Sequence, residues 1–339
     1  LRSIDFLSRK IIKRMSEPYQ VANRTAYVTA SIGIALFPDD GIDADRLLQN
    51  ADTAMYHAKA QGKNGFAYFS QELNQKAFER FELETALREA LRRDEFVLYY
   101  QPQVDLNAQR VVGCEALIRW NHPNKGMLSP VRFIDLAEET GLIKPMGEWV
   151  MRKACEQAGL WRAQGLPPLR VAVNMSGGQV TGDEIIQEVR NTLSETRMDA
   201  RLLDIEITES TLMKDADTAI EILRDLKRLG VGLSIDDFGT GYSSLSQLKR
   251  FPVDKLKIDK SFVENLETDR DDAAIVRAII AIGHNLKLKV MAEGVENQRQ
   301  LALVHAGGCD EVQGYYFSRP VPADEFARFV KGGLSGLSS

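Results

Sequence analysis

"EFVLYYQPQVDLNAQRVVGCEALIRW", residues 95–120, decides how this chain folds. Two β-rich runs, 95–105 and 110–120, are separated by the four residues Leu106 to Gln109. Four residues can turn a hairpin but cannot carry a parallel crossover. The first two strands are therefore expected to be antiparallel. Downstream the rhythm changes: "LRVAVNM" (169–175), "LDIEIT" (203–208), "VGLSID" (231–236), "DKLKID" (254–259), "LKVMAEGV" (288–295) and "DEVQGYYF" (310–317) are each followed by a helical segment. That alternation predicts an α/β fold with a largely parallel sheet wrapped in helices, and the strand count suits a TIM-like (β/α)8 barrel with an antiparallel first strand. Strand count alone does not separate it from a doubly wound open sheet.

Residues 1–70 read as helix, strand, helix, strand, which is too little for a complete α/β domain. Residues 71–94, rich in helix formers and free of Gly and Pro, read as a linker helix into the barrel. The barrel is placed at 95–332, with a tail at 333–339. The basic residues between Phe81 and Arg93 read as a solvated face.

The bulk numbers fit a globular chain. Of 339 residues, 44% are hydrophobic and 27% charged, which argues against long disorder. A net charge of −5 gives no general attraction to DNA or RNA polymers, so a phosphate-bearing ligand must be held locally. Cys114, Cys155 and Cys309 form no C-x-x-C pair, as expected of buried thiols in a reducing compartment. No apolar run reaches the ~18 residues of a membrane span. The chain starts at Leu1 rather than Met and reads as part of a longer protein, compatible with upstream sensory or membrane segments.

Side chains alternate along a strand, so each strand divides into an apolar set facing the helices and a second set facing inward. Ile205 and Ile207 oppose Glu206 and Thr208; Leu233 and Ile235 oppose Ser234 and Asp236; Leu256 and Ile258 oppose Lys257 and Asp259. Asn174, Glu293 and Gln313 fall on the inward side of their strands, and Glu115, Leu117 and Arg119 share one face. The expectation is one inward polar residue near the C-terminal end of each strand, where barrel enzymes place their chemistry. Glu115, Asn174, Glu206 and Asp236 offer only oxygen donors, which select Mg²⁺ or Mn²⁺ over zinc. Asp237 follows at once, and an adjacent acid pair suits two ions, the arrangement that drives phosphoryl displacement. Lys257 and Arg119 supply positive charge for phosphate oxygens. Chemistry on a phosphodiester follows.

The loop after that pair, "FGTGYSS" (238–244), lacks one glycine of the dinucleotide fingerprint, and two acids beside it would repel a pyrophosphate. A kinase reading of "DFG" fails for want of H-R-D and a Gly-rich ATP loop. The four histidines are scattered, and none lies at an inward strand end.

Residues of about 77 to 332 resemble an EAL domain, the bacterial phosphodiesterase that opens cyclic di-GMP to linear pGpG. "EALIRW", "VNMS", "EITES", "DDFGTGYSSL", "LKIDKSFV", "AEGVE" and "QGYYFSRP" occur in the family's order. The resemblance implies metal ligation by Glu115, Asn174, Glu206 and Asp236, with Asp237 on a second ion and Mg²⁺ or Mn²⁺ as the metal. It implies catalytic roles for Glu115, Asp237, Lys257 and Glu293, with Lys257 near the attacking water. Gln101, Leu117, Arg119 and Gln313 would join Glu115, Asn174 and Asp236 in holding cyclic di-GMP. Glu209 would anchor the "DFGTGYSS" loop, which is tied to dimerisation, so a homodimer through the EAL domain is expected. The family also contains catalytically inactive receptors that have lost ligands; here no acid is missing. Residues 1 to about 70 resemble the C-terminal part of a GGDEF domain through "VTASIGIALFP", "LLQNADTAMYHAK" and "GKNGFAYF", without the signature that cyclase activity needs. A cytoplasmic location follows, in a parent protein compatible with an inner-membrane anchor. "SGGQV" after Asn174 departs from the family, with Gly178 where a larger residue is more common.

Overall fold

The computed structural model describes residues 2–21, 24–60, 62–180, 182, 184–241 and 245–333. The chain divides into two units, 1–88 and 89–339.

In the first unit, helix Arg2–Met15 precedes a short antiparallel ribbon of β1 (Tyr19–Val21) and β2 (Arg24–Ala26). Strand β3 (Ile32–Ile34) then pairs in parallel with β4 (Phe66–Tyr68) across helix Ala44–Ala60, as a parallel pair requires. The helix lies so close on β3 that a Cβ at Gly33 would fall 1.8 Å from the Ala51 carbonyl oxygen. Two short strands cannot cover much apolar surface. Phe6, Tyr27, Phe37, Ile42 and Leu48 are accordingly exposed, while Ala54 and Ala58 are buried.

In the second unit, β5 (Phe96–Asp105) and β6 (Arg110–His122) form the expected hairpin, pairing Gln101 with Glu115 and Tyr99 with Leu117. Strand β7 (Gly126–Leu128) folds back on β6. Strands β8 (Arg170–Met175), β9 (Leu203–Thr208), β10 (Gly232–Phe238), β11 (Lys255–Ile258), β12 (Lys289–Ala292) and β13 (Glu311–Val312) follow in parallel. β13 pairs antiparallel with β5, and this closes the sheet into an eight-strand barrel. The open doubly wound alternative is thereby excluded. A short β14 (Val321–Pro322) lies beside β5.

The apolar strand faces are buried against the helices: Ile205, Ile207, Leu233, Ile235, Leu256, Ile258 and Val290 are at most 1% exposed. Helix ends are marked by the sequence. Asp215 caps helix Ala216–Leu229, Gly230 closes it at φ 92°, and Asn297 forms a capping box on Gln298–Ala306. Outside β5, Trp161 stacks between Tyr100 and Phe326 at centroid distances of 4.7 and 4.8 Å. Cys114, Cys155 and Cys309 are all buried and unpaired. Among the described residues, no helix is long and apolar enough to cross a membrane.

The inward face corrects one expectation. It carries two polar layers rather than one, because the residue two positions before each site residue is often polar as well. Asp204 lies below Glu206, Ser234 below Asp236, Lys255 below Lys257 and Glu311 below Gln313, all buried.

On the outer layer, helix Glu184–Thr196 packs against helix Ile143–Ala163. There Glu188 leaves its buried Oε1 without a hydrogen-bond partner among the described residues. Burial and the nearby Glu148 carboxylate push Glu188 up to about 7, with Arg152 only partly opposing them. A carboxyl that titrates higher folded than unfolded has no effect below its ordinary 4.5 and costs stability as pH rises through 7. Glu188→Gln should therefore raise the thermal midpoint at pH 8, and by less at pH 5. Melting curves at the two pH values check this.

Candidate active site

The C-terminal ends of the barrel strands bring most of the expected residues together. Glu115, Glu206, Asp236, Lys257 and Gln313 are each no more than 8% exposed. Their positions follow from register: β9 pairs Glu206 with Asn174 of β8 and with Ser234 of β10, and β11 sets Lys257 against Met291 of β12. Because the side-chain period is two, a one-residue slip would turn any of these groups into the apolar layer.

Lys257, fully buried, sits at the centre. Its Nζ lies 2.5 Å from Glu206 Oε2, 2.6 Å from Glu293 Oε1 and 3.0 Å from Asp236 Oδ1. Burial alone would lower the ammonium, but Asp236, Glu206 and Glu293 outweigh it and hold Lys257 well above its ordinary value. Glu115 faces this group from the hairpin. It accepts from Asn174 Nδ2 at 2.6 Å and from Gln313 Nε2 at 2.5 Å. Gln313 Nε2 also reaches Gln101 Oε1 at 3.0 Å, and Gln101 donates to the Ser318 carbonyl. Arg119 lies at half depth beside Tyr99, 5.6 Å from the ring centroid. Burial lowers its guanidinium against the pull of Tyr315 and Glu115. Leu117 is half-buried on the same strand.

Asp237 takes φ +52°, a left-handed conformation at a non-glycine position. This bend lets consecutive residues face one site: ligand atoms of Asp236, Asp237 and Glu293 lie within 4.8 Å of one another. Burial, then Asp236 and Asp259, push Asp237 up to about 6. Burial also pushes Glu293 up to about 8 despite the Lys257 ammonium, and drives Glu206 well above the carboxylate range. The trio that converges thus includes Glu293 in addition to two of the expected metal ligands. Glu206 is turned toward Lys257, and Glu115 toward the amides. Five carboxylates face one ammonium, an all-oxygen set short of positive charge, and that deficit fits a hard divalent cation.

Glu209, at the first position of helix Glu209–Lys214, is buried and accepts from the Gly239 amide at 2.7 Å. Its Oε1 has no hydrogen bond among the described residues, and a Cβ on Gly241 would come within 2.7 Å of it. Gly239 at φ +104° packs where a Cβ would strike Phe262. Residues 242–244 of the loop lie outside the described residues.

One participant escaped the sequence reading, and a second, Asp259, was read as inward without a role. Gln103 is fully buried and donates to Gln313 Oε1 at 3.2 Å and to Glu206 Oε1 at 3.5 Å, joining the two halves of the site. Its parity matches that of Gln101, which was the available signal. Asp259 shares the face of Lys257, caps helix Lys260–Glu264 and presses on Asp237.

Fold and site together define an acid-lined (β/α)8 barrel with an inverted first strand, suited to metal-assisted chemistry. The EAL domain family matches residues 84–320, and the chain belongs to it. The diguanylate cyclase GGDEF domain family matches residues 2–65. The bifunctional diguanylate cyclase/cyclic di-GMP phosphodiesterase MucR of Pseudomonas aeruginosa is 47% identical over 96% of this chain and 47% of its own length. The cyclic di-GMP phosphodiesterase PdeR of Escherichia coli is 40% identical over 97% of this chain and 50% of its own. The chain spans about half the length of the curated relatives it matches. Among solved structures, the PaMucR phosphodiesterase in complex with c-di-GMP superposes with a TM-score of 0.71 at 47% identity, covering 72% of this chain and 99% of that one.

Removing the central cation would leave three carboxylates uncompensated, with Glu206 and Asp236 among them buried. Lys257→Met should cost about 3–5 kcal/mol of stability, the range for breaking a buried ion pair. Urea unfolding in the presence of a chelator measures it, and a loss under 1 kcal/mol would contradict the charge balance described above.

Proposed function

We propose that the chain hydrolyses one phosphodiester bond of cyclic di-GMP to give linear pGpG. The observation that carries this reading is the cluster of five carboxylates about a single ammonium at the mouth of an EAL barrel. The likeness to a relative solved with c-di-GMP supports the substrate.

Glu115, Asn174, Glu206 and Asp236 would hold a Mg²⁺ or Mn²⁺ ion, and Asp237 beside Asp236 a second. Ions bound there supply a hydroxide nucleophile at neutral pH and charge for the leaving oxygen. The protein's own groups do the rest. Glu293, in contact with Lys257, takes a proton from the attacking water, and Lys257 holds that water in line. Arg119 neutralises a phosphate oxygen. Gln101, Leu117 and Gln313 seat the dinucleotide on the hairpin side. The water oxygen bonds to phosphorus as one phosphorus–oxygen bond breaks, leaving a phosphate monoester and a free hydroxyl. Glu209 steadies the loop after Asp237, the segment through which two copies would pair as a homodimer. We assign residues 1–70 to a partial GGDEF-like segment without cyclase activity, 71–94 to the linker helix, 95–332 to the phosphodiesterase barrel and 333–339 to a tail, working in the cytoplasm.

Incubation of the purified chain with cyclic di-GMP and Mg²⁺ or Mn²⁺, with chromatography of the products, should yield pGpG. Binding without turnover would assign the receptor role instead. Glu115→Gln and Asp236→Asn should each lower the rate at least about a hundredfold, since even outer partners of a metal ligand cost 10–100-fold. Full activity in either variant would overturn the ligand set. Glu209→Ala should reduce activity or dimer content, as read by turnover and light scattering.

A further inference from the structure

The opposite mouth of the barrel carries the reverse charge excess. Arg170, Lys255, Lys289 and Glu311 are the first residues of β8, β11, β12 and β13, and Asp204 is the second of β9, so one end of the barrel gathers them all. Lys255 is buried between Asp204, at 3.0 Å, and Glu311, at 3.3 Å. Glu311, fully buried, also takes Arg170 at 2.5 Å and Lys289 at 2.9 Å. Burial alone would raise its carboxyl, but the three cations hold it down at about 2.

Two carboxylates thus meet three cations, in a chain whose net charge is −5. The cations line a cavity of about 250 Å³ together with Arg201, Lys227 and Asp254. That volume is several times the ~30 Å³ share of a water molecule. Lys227 is committed: it binds both oxygens of Asp254 and the Val231 carbonyl. Arg170 and Lys289 are not. Among the described residues each makes one hydrogen bond, both to Glu311, which leaves further N–H groups of a forked guanidinium and an ammonium available. Lys289 is 52% exposed, so these donors reach solvent. The network has a cation to spare and room beside it.

We propose that the N-terminal mouth of the barrel binds a small phosphate-bearing anion, held by Arg170 and Lys289, with Arg201, whose guanidinium also pairs with Asp199, at the rim. The site lies at the end of the barrel away from the acid cluster and does not depend on the proposed reaction. A guanidinium fork beside ammonium point charges suits the several oxygens of phosphate better than a lone carboxylate.

Calorimetric titration of pyrophosphate, inorganic phosphate and guanosine monophosphate into the intact chain tests this, in chelator-treated buffer at constant ionic strength. Saturable binding at one site is expected. Lys289→Ala should weaken it about tenfold, the loss of one charge-assisted hydrogen bond, and Arg201→Ala by less. Arg119→Ala, at the other mouth, should leave it unchanged. Tighter binding of the nucleotide than of phosphate would make the natural ligand a nucleotide; equal binding would make it the free phosphate. Absence of saturable binding, binding unaffected by Lys289→Ala, or loss in Arg119→Ala would overturn the proposal.

Discussion

The contact between the Lys257 ammonium and the carboxylates of Glu206, Asp236 and Glu293 governs the upper half of the barrel. An amine buried this deeply keeps its proton only because anions surround it. Those anions come from three other strands, β9, β10 and the end of β12, so the cluster also fixes how neighbouring strands are staggered. The ammonium offsets part of the negative charge and leaves the remainder. Raised acids at Asp237, Glu206 and Glu293 express that remainder in the folded chain.

Gln103 and Gln313 explain how such a cluster stays ordered on the side away from Lys257. Gln313 bridges Glu115 and Gln101, while Gln103 bridges Gln313 and Glu206. The antiparallel β5 makes this possible. It presents Gln101 and Gln103 toward the acids, side by side with Glu115 of β6, and amides can donate to carboxylates without adding charge.

Much of this was legible in the sequence, for physical reasons. The four-residue connection between the first two strands leaves the hairpin as the only sterically available pairing, and strict alternation in segments such as 203–208 places Glu206 inward without ambiguity. Closure of the barrel was not legible, since it rests on pairing between β13 and β5, far apart in the chain. The lower charged layer was overlooked because Asp204, Lys255 and Glu311 stand at strand starts, where a charged residue reads equally well as solvent-facing. Asp237 shows a different limit: alternation sends it away from Asp236, and only the left-handed backbone at that residue brings it back to the site.

The opposed charge of the two mouths follows from how a (β/α)8 barrel is wound. Each helix runs back against its strand, so helix N-termini gather at the C-terminal end of the sheet and helix C-termini at the other. The macrodipoles make the first end favourable to anions and the second to cations. Side chains follow that field: Glu209 opens a helix beside the acid cluster, Asp259 caps the next helix but two, and Lys227, in the last turn of helix Ala216–Leu229, lines the basic mouth. The acid excess at one end and the cation excess at the other therefore share one origin in the backbone. Each is tolerated because aligned peptide dipoles stabilise at that end the sign of charge that the side chains concentrate there.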